Sequence, residues 1–441
     1  MRKWRRAVLI ALFLAVAVAS ATVLYDIYSF ISMPQEYLIV EGEEQTLDFK
    51  LPLKIHAVSQ EGTIKLNGLD ITGGGIGFIS SKPLTIQTSA KGSAVIEFKL
   101  FGLIPIKRMT VSVVPPVKVI PGGQSIGVKL YTQGVLVVAV AEVTGIDGRA
   151  YNPAVQAGIA VGDSIIEING IKVRDAEHVI RILENSKGEE IPLVIKRGKQ
   201  TLNKTIKPVK SHEDGKYRIG AWVRDKTAGV GTLSFFCPET GNFGALGHAI
   251  TDVDTGLMLS VEEGEILESR VASIQKGEKS RPGEIRGIFF EEQNKLGVIE
   301  KNTEFGIYGV MSKIIENPYY PEPIPVAMHQ QVKEGSAHIL TTVDENVEMY
   351  EVEIQRIARQ SYPEPKSLII KVTDKRLLEK TGGIVQGMSG SPIIQDGKLV
   401  GMVTHVFVND PTRGYGIFAE WMIYNSNLNQ NGDATEVDKA E

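Results

Sequence analysis

The chain has 441 residues, which at roughly 150 residues per domain points to about three domains. Hydrophobic residues make up 43% and charged residues 23%, an ordinary globular composition that excludes a disordered or collagen-like chain. Lys plus Arg total 48 against 52 Asp plus Glu, so no excess of positive charge draws the chain as a whole to nucleic acid, and a single cysteine, Cys237, excludes an intramolecular disulfide and any Cys-rich zinc or iron-sulfur site.

Residues 1–28 read as an export segment. Met1-Arg2-Lys3-Trp4-Arg5-Arg6 precedes an apolar run from Ala7 to Tyr25, with no charge before Asp26. A basic flank ahead of an apolar run near the ~18 residues that span a bilayer fits an uncleaved membrane anchor. Ala19-Ser20-Ala21 equally offers the small-residue pattern at which a signal peptide is cut. In both cases the rest of the chain is expected to work outside the cytoplasm, anchored to the membrane or secreted.

Residues 35–116 carry short β-favouring runs broken by Gly and Pro, among them Leu53 to Val58, Ala94 to Leu100 and Met109 to Val114, which predicts a small all-β domain. The run Gly73-Gly74-Gly75-Ile76-Gly77 is followed by no Lys-Ser/Thr and opens no helix, so it reads as a hairpin or loop and not as a phosphate loop. Pro115-Pro116 closes the segment as a stiff linker.

Residues 118–208 are the best organised. Gly134 to Val140, Asn152 to Ile159 and Val161 to Gly170 give a strand, a short helix and a second strand, and Asn169-Gly170 supplies the positive-φ pair of a two-residue hairpin turn. Val179, Ile180 and Leu183 stand at helical spacing between Asp175 and Asn185, and Ile191 to Arg197 returns as a strand. The run Ala157-Gly158-Ile159 to Asn169-Gly170 resembles a PDZ domain. That resemblance implies a groove between strand and helix in which an extended peptide or C-terminal ligand, supplied in cis or in trans, adds to the sheet edge. It also implies that the amides of Ser125, Ile126, Gly127 and Val128 receive the peptide carboxylate.

From 212 to 424 the chain turns Gly-rich and β-favouring. Gly387-Met388-Ser389-Gly390-Ser391-Pro392 sets a serine between close glycines, which permit the sharp turn an exposed nucleophile and its oxyanion-binding amides need. An α/β-hydrolase elbow requires glycine where Ser391 stands. The run is similar to the G-x-S-G-x-P pattern of chymotrypsin-like serine peptidases, which implies the amides of Gly387 and Ser389 as oxyanion donors. Acyl transfer also needs an imidazole. His248, in the Gly-flanked turn Ala245-Leu246-Gly247-His248, lies upstream of Ser389 in the His-then-Ser order of that group. His405, downstream on a predicted strand, is the rival base.

Taken over nearly its whole length, the chain resembles the stage IV sporulation protein B peptidases of endospore-forming bacteria. An export segment, a PDZ domain ahead of the peptidase, the Gly247-His248 turn and the run from Gly383 to Pro392 carry the resemblance. It implies a serine endopeptidase with His248 as base and Ser389 as nucleophile, acting without a cofactor or metal in the space between the two spore membranes. There it would cleave itself and a membrane regulatory protein, triggering intramembrane proteolysis that activates a late sigma factor. Asp374 occupies the position of the family's third catalytic member, but it also suits the cap of a short helix ending at Gly382. Asp252 and Asp254, close after His248, are alternatives.

Other features read plainly. Cys237 suits a packed core thiol, Pro318 to Pro325 a stiff aromatic loop, and residues 425–441 a polar tail. No His-Glu-x-x-His spacing is present. The expected fold is mostly β, with a chymotrypsin-like double β-barrel that carries His248 and Ser389 on different barrels. Two competing functions remain: an inactive PDZ scaffold, and an esterase-like hydrolase using Ser389 with His405.

Overall fold

The computed structural model describes residues 2–31, 33, 35–49, 51–59, 62–71, 75–80, 83–289, 294–360, 362–426 and 428. Gly73 and Gly74 of the glycine run, and most of the polar tail, lie outside them. The chain forms two compact units, Met1–Val117 and Lys118–Glu441.

In the first unit the apolar run is helical: α1 spans Arg2–Ile31. Its segment Ile10–Tyr28 has a mean hydropathy of 2.1 and no buried positions, long and apolar enough to cross a membrane or to serve as a signal sequence. Beyond that segment Phe30 turns inward, its ring 5.8 Å from Phe49 and 5.0 Å from Phe98. The β domain has a five-stranded and a four-stranded sheet that share one apolar core. Period-two patterning makes this possible: along Leu53–Ser59 buried and exposed residues alternate without a break.

The second unit is built on long strands that the sequence reading cut short. Strand β1 (Ser125–Val140) runs through a six-stranded ring and on into the PDZ fold. The PDZ elements follow as β2 (Ser164–Ile168), α2 (Ala176–Asn185), β3 (Ile191–Arg197) and β4 (Gln200–Ile206). The chain then returns through β5 (Ala221–Phe236), whose first half pairs with the PDZ half of β1 and whose second half re-enters the ring. The ring is completed by β6 (Asn242–Ala245), β7 (Val261–Gln275), β9 (Lys295–Thr303) and β10 (Gly306–Met311), while β8 (Glu284–Phe289) forms a hairpin with the far end of β7. Ring order is β1-β7-β9-β10-β6-β5, closed by the β5–β1 pairing. The PDZ fold is therefore inserted between two strands of the first barrel. Residues 125–132, which the expected boundary of PDZ at 118–208 and peptidase from 212 places with the PDZ domain, pair within the barrel, on one side with Thr232 to Lys226 and on the other with Glu268 to Val261.

Within the PDZ fold Asn169 and Gly170 take φ of 53° and 73°, as the hairpin turn requires. Asp175 caps α2 by accepting from the His178 amide at 2.6 Å. Val179, Ile182 and Leu183 are buried, so Ile182 packs in the core where Ile180 was expected. Asp163, fully buried, accepts two hydrogen bonds from Arg197 and one from the Ala160 amide, which satisfies its charge.

The second barrel is closed by β11 (Gly335–Thr342), β12 (Val347–Ile357), β13 (Leu368–Val372), β16 (Arg413–Phe418), β15 (Lys398–Val406) and β14 (Pro392–Gln395), in that order around the ring. A short helix, α3 (Lys375–Thr381), follows β13. The expected double barrel is present, with His248 after β6 of the first barrel and Ser389 before β14 of the second.

Candidate active site

The turn carrying Ser389 is shaped by what surrounds it. Gly387 and Gly390 have φ of 98° and 97°, a region L side chains avoid, and a Cβ on Gly390 would stand 2.2 Å from the Thr232 carbonyl oxygen. Met388 between them is fully buried and anchors the turn. Thr232 of β5 reaches across from the first barrel: its amide donates to the Ser389 carbonyl at 2.9 Å and its hydroxyl to the Gly387 carbonyl at 2.8 Å. The preceding residue, Gln386, is clamped by the β7–β8 hairpin, donating to the Gly283 carbonyl at 2.9 Å and accepting from the Ile285 amide at 2.8 Å. Among the described residues the amides of Gly387 and Ser389 have no acceptor.

His248 comes from the other barrel. Leu246 and Gly247, both at positive φ, turn the chain so that Gly247 packs against Thr404 of β15. The imidazole lies 5.0 Å from that of His405, centroid to centroid and tilted by 39°. Its Nδ1 is 2.8 Å from the Ala249 carbonyl oxygen. A carbonyl only accepts, so Nδ1 carries the proton and Nε2 keeps the lone pair a general base needs. Burial pushes the His248 pKa below its ordinary range, and the bond to Ala249 opposes that shift only in part. His405 is pushed down to about 4, first by desolvation of its ring and then by the positive charges of His248 and Lys366.

Ser389 and His248 thus converge on Thr404 and His405. The Ser389 hydroxyl donates to the Thr404 carbonyl at 2.8 Å. The structure brings the expected nucleophile, the expected base and the rival base together, with the nucleophile's proton directed at the backbone.

Two of the expected site positions have other partners in the structure. Asp374 caps α3, its carboxylate accepting from the Arg376 amide at 2.9 Å and from the Arg376 guanidinium at 2.8 Å. The Arg376 hydrogen bond holds its pKa below the usual carboxylate value. It therefore serves the helix, while the position on His248 that a triad acid would occupy is taken by the Ala249 carbonyl. Ile126, Gly127 and Val128 are paired on both edges within the barrel, and Ser125 is paired on one while its amide donates to the Thr342 hydroxyl at 3.3 Å, so these residues form a strand and not an open loop. The alternatives Asp252 and Asp254 are bound to Arg224. Cys237 is buried, as expected of a core thiol. Thr232, Thr404, Gln386 and Arg224 escaped the sequence reading because their roles rest on long-range contacts that no local pattern announces.

Residues 215–423 match the family described as SpoIVB peptidase S55, and residues 152–197 match a PDZ domain. A DegP-like periplasmic serine endoprotease of Chlamydia trachomatis is 36% identical over 75 residues, covering 17% of this chain and 14% of that protein. A protein named as a zinc metalloprotease in Lactococcus lactis is 34% identical over 101 residues, covering 23% of this chain and 22% of its own. The chain thus spans less than a quarter of the length of these curated relatives. Among solved structures, the Rv3671c protease of M. tuberculosis in its active form is 16% identical, with a TM-score of 0.26, over 45% of this chain and 72% of that one. An HtrA-type protease, AlgW, crystallised with a decapeptide, is 11% identical with a TM-score of 0.27, over 45% of this chain and 51% of its own. The chain therefore matches the SpoIVB-type S55 serine peptidases over its peptidase segment, just under half of its length, with a PDZ match ahead of that segment.

Proposed function

We propose that the protein cleaves peptide bonds with Ser389 as nucleophile and His248 as general base. Oγ of Ser389 attacks the scissile carbonyl as Nε2 of His248 takes its proton. The amides of Gly387 and Ser389 stabilise the oxyanion, and the protonated imidazole returns the proton to the leaving amine. Water then repeats the cycle on the acyl-enzyme. One observation carries this reading. Thr232 of the first barrel hydrogen-bonds the carbonyls of both Gly387 and Ser389, so the two barrels are joined at the nucleophile, and the His248 ring lies against His405, next in sequence to the Thr404 that accepts from the Ser389 hydroxyl.

The peptide ligand of the PDZ domain is proposed to add at Ala221 to Asp225 of β5. This stretch pairs with β1 on one side, has no partner strand on the other among the described residues, and lies beside α2. The family match and the apolar N-terminal helix support the finer reading: an extracytoplasmic enzyme of sporulation, held at the forespore intermembrane space, that cleaves itself and a membrane regulatory protein upstream of a late sigma factor.

A second reading, a fold that binds without cutting, is favoured by the Ser389 hydroxyl being engaged by Thr404. Fluorophosphonate labelling of the purified full-length protein separates the two. Covalent modification that disappears in Ser389→Ala supports the peptidase, and an unreactive wild-type protein supports the scaffold.

A further inference from the structure

Arg224 lies on β5 at the point where this strand passes from the PDZ fold into the first barrel. Its backbone pairs with Leu136 of β1 and its carbonyl accepts from the Thr132 hydroxyl at 3.4 Å, while the side chain of the next residue, Asp225, accepts from the Ala176 amide at 3.1 Å at the start of α2. Its guanidinium forks onto the turn that follows His248. One amino nitrogen donates to the carboxylate of Asp252, and the other donates to Asp254 at 2.6 Å. The Asp252 side chain is 0% exposed and that of Arg224 is 29% exposed.

Asp252 gathers the turn around itself. One carboxylate oxygen accepts from the Thr255 amide at 2.9 Å, the Thr255 hydroxyl at 3.0 Å and the Asp254 amide at 3.1 Å, while the backbone of Asp252 bonds to Leu257 and Gly256. Burial alone would push this carboxyl up, but the hydrogen bonds from Thr255 and Arg224 outweigh it and keep it ionised below the usual range. Four residues upstream stands His248, whose tautomer is fixed by the carbonyl of Ala249. That carbonyl lies on a stretch with two lateral anchors: Asn302, which brackets Ile250 through bonds of 2.9 and 2.8 Å, and Arg224, which holds Asp252. A buried carboxylate stripped of its cation is costly, so the turn cannot keep its shape without this arginine or a substitute.

We propose that Arg224 is a positioning residue for His248: through Asp252 and Asp254 it fixes the turn whose Ala249 carbonyl sets the imidazole. The inference rests on His248 being the general base. It assigns to the strand beside α2 a direct mechanical hold on the catalytic histidine, with no residue of the triad pattern involved.

The test is the rate of fluorophosphonate modification of Ser389 in the detergent-solubilised full-length protein, taken across pH, beside the thermal unfolding midpoint. Wild type, Arg224→Gln and Arg224→Lys are compared, with rates normalised to the total amount of label each takes up. Arg224→Gln is expected to react at least tenfold more slowly and with a displaced acid limb, because the Nδ1 hydrogen bond that fixes the tautomer loosens. Arg224→Lys, which keeps the charge but not the fork, should recover part of the loss. A merely structural role would lower the unfolding midpoint and leave the normalised rate and its pH midpoint unchanged, and that result overturns the proposal. Should Arg224→Gln fail to fold, Arg224→Lys decides alone, with wild-type rate and pH midpoint again overturning it. A wild-type protein that takes no label overturns the peptidase reading and this inference with it, whereas labelled wild type with unaffected variants removes only the inference.

Discussion

The hydroxyl of Ser389 donates to the carbonyl of Thr404, one residue before the histidine whose ring packs on that of His248. In the proposed mechanism the hydroxyl exchanges this bond for one to the His248 imidazole. The exchange forfeits one hydrogen bond, worth about 1 kcal/mol net, so the resting arrangement is readily left once a substrate carbonyl fills the space over Gly387 and Ser389.

Nucleophile and base should then behave as one unit. Ser389→Ala and His248→Ala are each expected to lower peptide cleavage by about a million-fold or to the detection limit, and the double variant by no more than either alone. His405→Ala is expected to keep most of the activity, because the bond from Nδ1 of His248 to the Ala249 carbonyl leaves the Nε2 lone pair of His248 free to take the proton, and no such bond among the described residues fixes His405. Steady-state cleavage of a peptide substrate checks this, and a greater loss from His405→Ala than from His248→Ala would reverse the assignment.

Asp374→Ala separates the geometry from the family pattern. Losing the cap of α3 should cost about 1 kcal/mol of stability, visible as a lowered unfolding midpoint, with cleavage by the folded protein near the wild-type rate. A triad acid would instead cost about 10,000-fold in turnover with little change in stability.

The acid limb of activity should fall below the ordinary histidine value of about 6.5, because burial favours neutral His248. Stability follows the same sign. Both imidazoles bind fewer protons folded than unfolded, so stability is fully present above about pH 6.5 and declines as pH falls from there toward the folded-state values, about 4 for His405. Labelling rate and unfolding midpoint between pH 4 and 8 test both statements. An activity midpoint above 7 is the contrary outcome for His248.

Gly127→Glu distinguishes a barrel strand from a ligand loop. A Cβ at Gly127 would stand 2.6 Å from the Phe289 ring, in a buried strand paired on both sides. The substitution would bury an unpaired charge and should yield little soluble protein. A folded variant that loses only peptide binding would restore the loop reading.

What the sequence showed, and what it hid, divides by range. The Asn169-Gly170 turn, the 3.6-residue period of α2 and the glycines around Ser389 are set by neighbours along the chain, and each was legible. The insertion of the PDZ fold into the barrel was not, because β1 and β5 each serve two folds as one uninterrupted strand and only their distant partners reveal where one ends. Asp374 misled for a related reason. Its spacing to Ser389 is a fact of sequence, whereas its engagement by Arg376 and the occupation of His248 by Ala249 are facts of contact.

The central claim, a Ser389 nucleophile activated across the two barrels by His248, is tested most directly by mapping the fluorophosphonate adduct. After labelling and digestion, mass spectrometry of wild type should place the adduct on Ser389, and the same analysis of His248→Ala should show it nearly absent. An adduct on Ser391 or on another serine, or undiminished labelling of Ser389 in His248→Ala, would contradict the account.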